Sequence, residues 1–317
     1  MRKLFLTLAL ICALASWVEV SESRHHHLFV HLPVTHAASC LTASFSAGGV
    51  TWTCNFASLG PGNSGTGGVG AQTITFSPTA GTAAVIWVYA CGDGGACTTS
   101  TAGQSVVVSD NLHNPETCFQ TSPGSPFTLI DSAGFHELGY LLVCPSLPSG
   151  VTSFTATNPD NSSGFIAFWL TNFTVSTGLP SSSTVDKDNS AVSSTTGTSG
   201  SVTLSANTTN ANDLIIGLVD NDNDESQTGF GSGFGKIVCD TNTNGCLQAS
   251  AVSSTGLYTV CAIWTTSPTN CTGGTGGTAD SWYAVAMGVK ANAPSGASGG
   301  GGFGGKAGIG GKAGVGY

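Results

Sequence analysis

Charge is what this chain has least of. Asp, Glu, Lys and Arg make up 8% of its 317 residues, against roughly 25% in an ordinary soluble domain. From Cys40 to Ala293 there is no Arg, and Lys187, Lys236 and Lys290 are the only Lys, against fifteen Asp and Glu. So few cations argue against nucleic acid as a partner, because affinity there comes largely from Lys and Arg on phosphates. An anionic membrane surface is disfavoured for the same reason. Long apolar runs are missing too. After residue 15 none approaches the roughly 20 residues of a membrane-crossing helix. No segment carries a long 3.6-residue apolar period with caps, which removes helical bundles.

Catalytic signatures are equally scarce. There is no Gly-x-Ser-x-Gly elbow. The stretch His136-Glu137-Leu138-Gly139-Tyr140 lacks the second His of a zincin, and only His113 and His136 fall in the central region. Glycoside hydrolysis needs two facing carboxylates. Three Glu (Glu116, Glu137, Glu225) and twelve Asp leave such a pair open, and their spacing singles out none. A Gly300-x-Gly302-x-x-Gly305 match has no strand before it and no helix after it, so it is not a dinucleotide fingerprint.

Cysteine, by contrast, is abundant and ordered. Cys12 sits in a leader-like N-terminus, and ten others fall into close sequential pairs: Cys40/Cys54, Cys91/Cys97, Cys118/Cys144, Cys239/Cys246 and Cys261/Cys271. An even count of this kind is read as a disulfide framework formed in an oxidising compartment. The leader reads as Arg2 and Lys3, an apolar stretch at 4–15 and an Ala13-Leu14-Ala15 cleavage signal, with a second candidate cut near Thr35-His36-Ala37. Ala38-Ser39-Cys40 faintly resembles a lipoprotein box, but lipidation would leave Cys54 without a partner.

Short β-branched or aromatic runs recur at 72–76, 83–90, 105–109, 140–144, 153–156, 165–173, 201–205, 214–219, 257–264 and 282–289, separated by Gly, Pro, Asn, Asp and Ser. The chain is therefore expected to be all-β, an antiparallel β-sandwich stapled by disulfides. A weak repeat joins Gly139-Tyr140-Leu141-Leu142-Val143-Cys144 to Gly256-Leu257-Tyr258-Thr259-Val260-Cys261, and Phe165-Ile166-Ala167-Phe168 to Trp282-Tyr283-Ala284-Val285, both at an offset of 117. The expected organisation is a signal peptide and leader extension at 1–38, a sandwich at 39–292, and a Gly-rich flexible tail at 293–317; the sandwich is either two related halves split near 180–200 or a set of strands that look alike only because the composition is so restricted. That tail carries Gly-Gly-Lys-Ala-Gly-Ile and then Gly-Gly-Lys-Ala-Gly-Val, too rich in Gly for burial to offset its backbone entropy.

The succession Val108-Ser109-Asp110-Asn111, the 139–144 and 165–173 strands, Gly200-Ser201-Val202-Thr203-Leu204, Asn212-Asp213-Leu214-Ile215-Ile216-Gly217 and the closing strand at 282–290 resembles a broad group of secreted bacterial β-sandwich proteins, jelly-roll or immunoglobulin-like in form. The resemblance spans roughly residues 72–291 and implies fold and export. It carries no activity and no site residues, and the dense cysteines depart from the group's commoner members.

The strongest polar constellation is Asp220-Asn221-Asp222-Asn223-Asp224-Glu225, directly after an apolar strand. Alternating carboxylates suit Ca²⁺, whose ligands are hard oxygens, so Asp220, Asp222, Asp224 and Glu225 are the candidate calcium set. It is not an EF-hand, because Glu225 stands where that loop needs Gly. The alternative is a solvated acidic connection. His25, His26, His27, His31 and His36 could chelate a transition metal or belong to a variable leader segment. The functional expectation is a secreted or cell-surface structural or adhesion protein that needs no cofactor and meets surface polysaccharide or another extracellular protein. One alternative is a carbohydrate-binding module that stacks Trp52, Trp87, Trp264 or Trp282 on sugars, although their place in strands favours core packing. The other is an extracellular hydrolase.

Overall fold

The computed structural model describes residues 40–59, 71–91, 106–113, 118–130, 136–157, 166–221, 227–239, 245–264, 271 and 280–294. Among them are eighteen strands and no helix. The first half contains β1 (Ser44–Ala47), β2 (Val50–Leu59), β3 (Ala71–Thr75), β4 (Ala83–Cys91), β5 (Val107–Asp110), β6 (Gln120–Thr121), β7 (Phe127–Ile130), β8 (His136–Cys144), β9 (Ser153–Thr157) and β10 (Ile166–Val175). The second contains β11 (Val185–Gly197), β12 (Ser199–Thr203), β13 (Asp213–Asn221), β14 (Gly229–Phe230), β15 (Gly235–Cys239), β16 (Cys246–Ala251), β17 (Thr259–Ile263) and β18 (Asp280–Lys290). The strand ladders are antiparallel throughout.

The pairing is nested, and it occurs twice. In the first half β2 pairs β10, β3 pairs β9 and β4 pairs β8; in the second β11 pairs β18, β12 pairs β17 and β13 pairs β16. Each half thus folds a long hairpin over on itself. The order β2-β10-β4-β8-β7 in one large sheet recurs as β11-β18-β13-β16-β15 in the other, and the small sheet β3-β9-β5 recurs as β12-β17-β14. An immunoglobulin sandwich sets its first strand beside its second. Here the nested strands close instead, β2 beside β10 and β11 beside β18, with β1 added at the edge of the first half.

The repeat is not carried at one offset. Gly139–Cys144 lies in β8, which matches β16, whereas Thr259 to Cys261 lie in β17, which matches β9. The second landmark does fall on matching strands, β10 and β18. Connections of unequal length explain the discrepancy, since the chain travels further from Ile263 to Asp280 than from Thr157 to Ile166.

Three apolar clusters divide the molecule into four layers. One fills the first sandwich with Ile86, Val88, Tyr140, Phe154, Phe168 and Leu170; another fills the second with Val202, Ile215, Val219, Val260, Ala284 and Ala286. The largest lies between the halves. It takes Trp52 from β2, Trp87 from β4, Leu141 from β8 and Trp169 from β10, and joins them to Leu218 from β13 and Met287 from β18. The two large sheets therefore pack against each other and carry the small sheets on their outer sides. Side chains alternate across a strand, so β4 sends Val85 and Trp87 inward to the shared layer, and Ile86 and Val88 outward to its own sandwich. Strands buried on both faces read as unbroken apolar runs, and all nine residues of β13 are buried.

Close approach demands glycine at two of these positions. A Cβ at Gly139 would lie 2.2 Å from the Trp87 ring, and one at Gly217 would lie 2.4 Å from the backbone oxygen of Val285.

Four disulfides lie among the described residues, joining Cys40–Cys54, Cys118–Cys144, Cys239–Cys246 and Cys261–Cys271 with Cα atoms 6.1, 5.0, 4.0 and 5.8 Å apart. The bridge from Cys40 rules out its lipidation. Cys97 lies outside the described residues, as do the 1–38 leader with its His cluster and the Gly-rich stretch from 295 onward.

Because its obstacle is backbone, Gly217→Ala is expected to lower stability by about 2–3 kcal/mol through overpacking. Gly81 has φ +81° but nothing within 4 Å of its Cβ, so Gly81→Ala should cost about 1 kcal/mol. Urea denaturation of both variants checks the ranking, and equal midpoints would refute it.

Candidate functional site

With only 8% charged residues, each buried carboxylate has to be accounted for by its surroundings. Four of them lie on β11 and β13: Asp186, Asp188, Asp213 and Asp220, none more than 8% exposed. A buried charge is costly unless donors meet it, so the donors show what each one does.

Asp220 is the next-to-last residue of β13, at 3% exposure. Its Oδ2 accepts the Tyr283 hydroxyl at 2.9 Å and its Oδ1 the Asn221 N–H at 2.9 Å. Gly245 approaches so closely that a Cβ there would stand 2.7 Å from the carboxyl carbon. Asp220 therefore belongs to the sheet interior and is no part of a solvated loop. Asp222, Asp224 and Glu225, the rest of the candidate calcium set, lie outside the described residues. No group of three or more His, Cys, Asp or Glu able to hold a metal occurs among the described residues.

Asp188 joins the two halves. From β11 its Oδ2 accepts the Ser122 hydroxyl and, at 2.7 Å, the Gly124 N–H, both from the turn between β6 and β7. Gln120 adds to this seam, its side chain accepting the Thr184 N–H at 2.9 Å and donating to Ser181 O at 3.0 Å.

Asp186 and Asp213 form the carboxyl pair that spacing alone does not single out. Asp186, at the start of β11, accepts the Thr209 N–H and hydroxyl at 2.5 and 2.6 Å and the Asn210 N–H at 3.0 Å. Lys290 Nζ stands 3.8 Å from its Oδ1. Asp213, 0% exposed at the start of β13, has its carboxyl against that of Asp186. The residue-level signal was slight: an Asp heading the Leu214–Val219 apolar run, which puts a carboxyl where burial begins. Such a pair has the composition of a hydrolytic dyad, but at this burial it faces no substrate.

Burial also decides the aromatic question. Trp52, Trp87 and Trp264 are 1%, 0% and 2% exposed, which removes them as a sugar-stacking platform. Trp282 is half-buried against the second core, its ring beside Gly200. No helix among the described residues is long and apolar enough to cross a membrane.

Comparison with known protein families, with curated proteins and with solved structures gives no match.

Tyr283→Phe removes one donor from a buried carboxylate and is expected to cost about 1–3 kcal/mol. A urea midpoint indistinguishable from wild type would show that the hydroxyl does not support Asp220.

Proposed function

We propose that this is a secreted, non-enzymatic structural or adhesion protein of the cell exterior, which holds surface polysaccharide or another extracellular protein. The observation that carries the reading is the character of the two outer sheet faces. Thr73, Thr155 and Thr157 line the outside of one small sheet, and Ser201, Thr203 and Thr259 the outside of the other, all exposed or half-buried. At matching positions the hydroxyls of Thr73 and Thr155, and of Thr203 and Thr259, stand 2.8 Å apart. Cross-strand Thr pairs stabilise a sheet and leave an uncharged, hydroxyl-bearing face suited to neutral polar partners. Among the described residues, Trp52, Trp87 and Trp264 and the Asp186 and Asp213 carboxyls, which stacking or hydrolysis would use, are buried. Export is supported by the disulfides, which persist in oxidising compartments.

A glycan array, followed by adhesion to immobilised polysaccharide and extracellular protein, tests this. Thr155→Lys and Thr259→Lys each place a charge on an outer face and should weaken capture at least tenfold with little change in melting temperature. Capture unaffected by both, or hydrolysis of the bound polymer, would overturn the proposal.

A further inference from the structure

Neither carboxyl oxygen of Asp213 receives a hydrogen bond from an N–H or O–H donor, although the side chain is fully buried. Asp186 is its neighbour: Lys290, the cross-strand partner of Asp213, carries its Nζ 3.8 Å from Asp186 Oδ1, and the two carboxyls interact directly. Two carboxylates in contact cannot both stay ionised, because the like charges repel and burial penalises each. A proton between them turns the contact into a strong charge-assisted hydrogen bond. The surroundings determine which side keeps the charge. Asp186 has three donated hydrogen bonds and the nearby Lys290 ammonium. The Asn210 side-chain amide donates to Ala291 O at 2.9 Å and brings no N–H into hydrogen-bond geometry with Asp213.

We propose that Asp186 and Asp213 share one proton, and that this proton latches the corner where β11, the β12–β13 turn and the end of β18 meet. The groups facing the pair come from each of these elements. β11 supplies Asp186, the turn supplies Thr209 and Asn210, and β18 supplies Lys290 and Gly288, whose Cβ would stand 3.3 Å from Asp213 Oδ2. The same corner is held by backbone bonds from Lys290 to Thr184 and from Ala291 to Asn212. Burial first, and then the Asp186 carboxyl, pushes Asp213 up to about 8, with Asn210 and Lys290 opposing. For Asp186 burial acts upward as well, but the Thr209 and Asn210 donors outweigh it and hold the group below its ordinary value.

The sign of the pH dependence follows. Between the ordinary Asp value of 3.8 and about 8, the folded chain holds a proton at Asp213 that the unfolded chain has released. Stability from this site is therefore complete below pH 3.8 and declines as pH rises toward 8, the unfolding constant growing by up to about tenfold per pH unit. Asp186 works the other way, contributing above its ordinary value and failing as pH drops through its lowered one. The corner is tightest in mild acid.

The test is equilibrium unfolding of the full chain at pH 5, 6, 7 and 8 and constant ionic strength, with amide exchange at Thr209 and Asn210 normalised for intrinsic rate. In wild type the unfolding constant should climb toward tenfold per unit and the two amides should lose protection over the same range. In Asp213→Asn, whose amide donates to Asp186 at every pH, both slopes should be removed. If that variant does not fold, Asp186→Asn serves: the repelling carboxylate is gone and its amide donates to Asp213, so with burial unchanged the slope should move to lower pH than in wild type. A wild-type profile flat from pH 5 to 8, or the same slope in wild type and the folded variants, overturns the latch.

Discussion

The structure depends on one constraint: both large sheets must be covered on both faces. A sandwich ordinarily buries one face of each sheet and leaves the other wet, which gives alternating strands. Here Val85 and Trp87 of β4, Trp169 of β10 and Leu218 of β13 fill a layer that neither sandwich could shield alone. Apolar burial on this scale is the dominant favourable contribution to folding. It also explains the composition, because a sheet sealed on both sides has no room for charge in the middle of its central strands. Glycine enters where two layers come too close for a side chain, as at Gly139 under the Trp87 ring.

The few buried carboxylates sit where that apolar system ends. Asp186 and Asp188 lie on β11, the edge strand of the second large sheet, and Asp213 and Asp220 at the two ends of β13. Each is met by turn backbone, by a hydroxyl or by another carboxyl, so each fixes a connection to the sheet it borders. In the seam Asp188 orders the β6–β7 turn of the other half.

Much of this was legible in the residues. The ten apolar runs all became strands, because β-branched and aromatic clusters between turn residues have no helical alternative here. The unread strands are chiefly those whose stability comes from a neighbour. β11, Val-Asp-Lys-Asp-Asn-Ser-Ala-Val-Ser-Ser-Thr-Thr-Gly, has almost no apolar side chains and forms because β18 offers it a ladder. β16, Cys-Leu-Gln-Ala-Ser-Ala, has one large apolar side chain and no β-branched or aromatic residue, and β13 holds it in place. The double burial was also present in the sequence, since 83–90 and 214–219 are continuous rather than alternating runs. What no local pattern carries is which distant carboxyls meet. Asp186 and Asp213 come together only through the nesting of β11, β18 and β13, and Asp220 turned inward because it ends a strand rather than opening a loop.

The central claim is that the two sandwiches form one cooperative body because they share a core layer. Differential scanning calorimetry of the full chain at pH 5 tests it most directly. A single transition whose calorimetric and van't Hoff enthalpies agree is the predicted result. Two resolved transitions, or a van't Hoff enthalpy near half the calorimetric one, would mean that each half closes its own core, and would contradict the account.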